Sequence, residues 1–75
     1  MLNSYNFNNI FATNSQTQDI FPLYNIKING VLYLRYYSIP KGPSFGGIDL
    51  YQLVGRDFSG SWDDASQTLT IVGIL

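Results

Sequence analysis

Cysteine, histidine and glutamate are absent from this 75-residue chain, and proline occurs only three times. Without cysteine there is no disulfide, and without cysteine or histidine the common transition-metal sites and the usual nucleophile–base pairs are excluded. Charge is scarce too. Charged residues make up 12% of the chain, about half the usual share, and the net charge is −1. The four basic residues, Lys27, Arg35, Lys41 and Arg56, are scattered and form no basic run. Nucleic acid and anionic membrane are therefore improbable partners. No stretch reaches the roughly 18 apolar residues of a membrane span, and the first residues lack the basic start and apolar core of a signal peptide. A cytoplasmic protein is expected. No cofactor or metal is implied: the spaced oxygen ligands of an EF-hand loop and the glycine–lysine pattern of a phosphate-binding loop are both missing.

Aromatic residues, at 16%, are plentiful. The clearest structural signal is FPLYNIKINGVLYLRYYSI, residues 21–39. Two β-branched and aromatic runs flank Asn29-Gly30, a dipeptide that accepts the positive φ angles of a two-residue type I′ turn. That turn sets the register, pairing Ile28 with Val31, Ile26 with Tyr33, Tyr24 with Arg35 and Pro22 with Tyr37 on one face. Lys27–Leu32, Asn25–Leu34 and Leu23–Tyr36 fall on the other. Both faces carry apolar side chains, and a lone hairpin covers neither, so the remaining chain or a second molecule must. A Tyr24–Arg35 cation–π contact is expected on the first face.

Residues 1–18 are polar and asparagine-rich, with Tyr5 and Phe7 alternating against polar neighbours. Two readings stay open: a flexible arm, or a strand at Ser4–Asn8 docked on its own sheet or a neighbour's. Residues 13–19 read as a loop. PKGPSFGG, residues 40–47, is either a turn over a sheet edge or a ligand loop presenting Phe45; the turn is preferred. IDLYQLV, residues 48–54, alternates as a strand, although helical spacing also fits. Residues 58–75 form a second hairpin, with Trp62 opposite Gln67, Gly60 opposite Leu69 and Phe58 opposite Ile71 across a four-residue loop. Asp63 and Asp64 suit that turn better than catalysis. Arg56-Asp57 is a candidate local ion pair.

These readings give a small, all-β, mainly antiparallel single domain: a meander of four or five strands, or a barrel or sandwich half completed by oligomerisation. With so little acid–base chemistry available, a non-enzymatic interaction protein is expected. It would self-associate through edge strands and aromatic faces (Tyr5, Phe7, Leu32, Leu34, Tyr36) and act on a protein partner or as an assembly subunit. By analogy with other small cofactor-free chains, a phage or mobile-element inhibitor of host defence is one form this would take. The alternative is a binder of a small anion such as a nucleotide, using Tyr24, Arg35, Tyr37, Lys41, Phe45 and Arg56. A carbohydrate-binding module, with Trp62 and tyrosines as stacking platforms, is the third reading.

Overall fold

Asn29 and Gly30 both take positive φ, 50° and 79°, in the computed structural model, which describes residues 2–75. The type I′ turn is therefore present. It joins two strands, β4 (Asn25–Ile28) and β5 (Val31–Tyr33), paired as Ile28–Val31, Lys27–Leu32 and Ile26–Tyr33. The expected register holds this far and then stops. Tyr36 turns to φ 68° and donates its N–H to the carbonyl of Pro22, while the side chain of Asn25 accepts from the N–H of Arg35. Pairs beyond Tyr33 are lost. Arg35 consequently lies over the ring of Tyr36, 4.5 Å from its centroid, rather than over Tyr24.

The amino-terminal segment is built into the sheet. After β1 (Asn3–Asn6) come a single helical turn, α1 (Phe7–Ile10), and β2 (Phe11–Thr13). Asn6 makes the transition: its side chain accepts from the N–H of Asn8 and donates to Asp57 at 2.9 Å. β2 pairs with β3 (Ile20–Pro22) in a separate two-stranded sheet, closed by a loop whose N–H groups at Gln16 and Thr17 bond to Asn14 Oδ1.

Residues 48–54 are not a strand. Asp49 caps a 3₁₀ turn, Leu50–Leu53, by accepting from the N–H of Tyr51, and Leu50 and Leu53 are buried. A three-residue repeat brings these leucines to one side, a spacing that strand alternation cannot produce. Two longer strands follow, β6 (Asp57–Asp63) and β7 (Thr68–Ile74). The second hairpin has its four-residue loop one position later than expected, so Trp62 faces Leu69 and Gly60 faces Ile71. Asp63 fixes this shift by accepting from the N–H of Ala65 and the hydroxyl of Ser66, and Gln67 takes the positive φ that ends the turn. Further along, the pairing jumps from Gly60–Ile71 to Ser59–Gly73, leaving Val72 as a bulge residue. The bulge rotates β7 so that Ile74 packs against the same core as Ile71.

The five-stranded sheet has the order β1-β6-β7-β4-β5. Its pairings are antiparallel except at the centre, where β4 runs parallel to β7 with Ile26 beside Leu69. The all-β, mainly antiparallel class stands, but two hairpins joined side by side replace a simple meander and no closed barrel forms. One core lies between the sheets. Phe7 and Phe11 stack at 5.0 Å, and Phe11 meets Phe45 and Phe58 edge-on at 5.6 and 6.0 Å. Among the described residues no charged side chain is buried, and no helix is long and apolar enough to cross a membrane.

Candidate functional site

The residues singled out in the sequence separate into four groups. Phe7 and Phe45 are core residues, 2% and 0% exposed. Phe45 cannot be presented by its loop: Gly46 and Gly47 turn the chain back with φ 60° and 84°, Phe45 and Ile48 bond to each other, and Tyr33 Oη accepts from the N–H of Gly46 at 2.7 Å. The 40–47 segment is thus a turn, docked on the first hairpin through Asn29 Nδ2 and the carbonyl of Gly46. At Gly46 an added Cβ would lie 3.0 Å from Ile28 Cγ2 and 3.2 Å from its carbonyl oxygen, so contact as well as φ calls for glycine.

The second group is cationic, and each member engages a different residue. Arg35 covers Tyr36, Lys41 Nζ lies 5.9 Å from the centroid of Tyr51, and Arg56 donates two hydrogen bonds to the main-chain oxygen of Leu75. Arg56 and Asp57 part company, Asp57 accepting from Asn6. No two of these cations share a partner in these contacts.

The third group stays at the surface and gathers along β5. Val31, Leu32 and Leu34, with Tyr37, line an open groove of about 350 Å³ whose inner wall is Tyr33. The four are 44–60% exposed. Tyr33 is fixed beneath them by its hydroxyl bonds to the 44–46 turn and by rings at 4.9 Å (Phe45) and 6.3 Å (Tyr37). On its far side β5 pairs with no strand among the described residues, because it ends the sheet. The opposite edge, β1, reads NSYN and is polar. Apolar character is therefore concentrated at one edge.

Tyr24 and Tyr5, the fourth group, lie outside the β5 groove. Tyr24 stands perpendicular to Trp62, with ring centroids 5.4 Å apart and planes at 79°, over a cleft that Tyr5 also lines. Sequence reasoning found Trp62 as a stacking platform but not Asn3 and Asn9, which join it from β1 and α1. Their only signal was the asparagine richness of residues 1–18. No protein family, curated protein or solved structure matches the chain.

Proposed function

We propose that this chain is a non-enzymatic assembly protein that pairs with a second copy of itself along β5. The observation that carries the reading is the uncharged edge strand bearing exposed Val31 and Leu32, followed by exposed Leu34 and Tyr37. Edge strands of monomers are usually protected by lysine, proline or a covering element. β5 has none of these in Val31–Tyr33. An antiparallel pair about a two-fold axis at Leu32 would set Leu32 against its own copy and Val31 against Tyr33, so every contact is matched by construction. A net charge of −1 per copy opposes such an approach weakly. The result is a sheet continued across two subunits, with the 350 Å³ groove of each covered by the other.

The test is sedimentation equilibrium over a concentration series, for the parent chain and for Leu32→Lys. A concentration-dependent dimer in the parent and a monomer with unchanged far-UV circular dichroism in the variant are expected. A parent that stays monomeric throughout, or a variant dimer of equal affinity, overturns the β5 pairing.

A further inference from the structure

The cleft under Tyr24 and Trp62 has the chemistry of a ligand site, and its volume of about 460 Å³ falls within the range of small-molecule pockets. Its floor is apolar and preformed. Ile10 and Leu69, both buried, supply it from α1 and β7. Trp62 is held from outside the cleft, since its Nε1–H points at Asp64 Oδ1 in the neighbouring turn. With Tyr24 edge-on to the indole, two aromatic walls meet at nearly a right angle. On β1, Asn3 and Tyr5 lie two residues apart on the same face, and Asn3 is paired with Gly60, so β6 places no side chain across from it.

The polar groups at the rim are all uncharged. Asn3 and Asn9 contribute amides, and Tyr5 and Tyr24 contribute hydroxyls. Among the described residues none of these four has an intramolecular side-chain hydrogen bond, and Asn3, Asn9 and Tyr24 are exposed. Among the described residues no charged one lines the cleft. Amides and phenols each donate and accept, as ligand hydroxyls do. A phosphate or carboxylate would find no cation here, and a purely apolar ligand would bury the amides without partners. A neutral ring with an apolar C–H face and a hydroxyl-bearing edge satisfies both demands: the face lies on the aromatic wall and the hydroxyls meet the amides.

We infer that this cleft binds a neutral pyranose unit of an oligosaccharide, through Trp62 and Tyr24 as stacking surfaces and Asn3 and Asn9 as hydrogen-bonding groups. The site lies among β1, α1, β6 and β7, away from β5, and stands independently of the self-pairing reading.

Nitrogen-15 amide NMR titration tests it on the whole chain, with cellohexaose, chitohexaose, maltohexaose, xylohexaose and mannohexaose as probes at millimolar concentration. At least one is expected to shift signals clustered at residues 3, 5, 9, 24 and 62. Tyr24→Ala, at an exposed position that leaves the core intact, should weaken that binding about tenfold. The Asn3→Ala/Asn9→Ala pair should do the same. Spectra unchanged by all five sugars overturn the proposal, and so does binding that survives both variants undiminished or shifts only signals elsewhere.

Discussion

Tyr51 shows how a chain with so few charges ties its irregular segments together. Tyr51 Oη accepts from the N–H of Ile20 at 3.1 Å and donates to the carbonyl of Ile39 at 2.8 Å, bridging the smaller sheet to the segment that follows β5. Tyr51→Phe removes both bonds and leaves two main-chain groups short of a partner, a loss of about 1–3 kcal/mol to be read from urea unfolding. Gly60 provides a sharper contrast. A Cβ there would lie 2.8 Å from the carbonyl oxygen of Thr70 and 3.0 Å from Leu69 Cδ1, whereas one at Gly73 meets nothing within 4 Å. Gly60→Ala should cost about 1–3 kcal/mol, and Gly73→Ala should stay within about 0.5 kcal/mol, in the same unfolding assay. Such roles were hidden in the sequence because the partners are main-chain atoms 31 and 12 residues from Tyr51. Nothing in the local pattern distinguishes a tyrosine that bridges from one that only packs.

Elements were legible where the cause of their shape is local. Asn29-Gly30 forced its turn and register because only two residues are involved and both need positive φ. In the second hairpin both Asp63 and Asp64 suit a turn, and counting residues cannot tell which of them opens it. The structure gives that place to Asp63, whose carboxylate holds Ala65 and Ser66. Asp63→Ala should therefore loosen the hairpin by about 1 kcal/mol, lowering the melting temperature by roughly 4–8 °C in a domain of this size. Thermal denaturation followed by circular dichroism measures it; an unchanged midpoint would mean that the β6–β7 pairing alone sets the turn. Residues 48–54 were misread for a related reason. Their apolar pattern fits two periods, and the decision rests with Asp49, whose capping bond starts a 3₁₀ turn before a strand can form.

At the scale of the whole molecule, long-range pairing decides what the ends of the chain do. The parallel β4–β7 contact joins residues more than 40 positions apart, and β1 lies beside β6 from the other end of the chain. Neither pairing leaves a trace in hydrophobic alternation, so the sheet order was out of reach although its strands mostly were not. The same is true of the candidate sites: β5 announced itself as an apolar run, while the cleft depends on β1, α1 and β6 meeting. The amino-terminal segment carries the largest consequence. As a flexible arm it would be dispensable for folding and its removal would affect association alone. Instead the radius of gyration, 11.4 Å, equals the roughly 11 Å of a compact chain of this length, which leaves no room for a protruding arm. Phe7, Ile10 and Phe11 are each 2% exposed, and their burial is worth roughly 5–9 kcal/mol together. The total stability of a domain this size is about 4–11 kcal/mol. Deleting residues 2–13 would thus remove a share comparable to the whole, and would strip β6 of its outer neighbour as well. The truncated chain should show no cooperative urea transition and collapsed amide dispersion by NMR. A truncated chain that keeps a cooperative transition would place the stabilising core in the two hairpins alone, and would return residues 2–13 to the role of an arm.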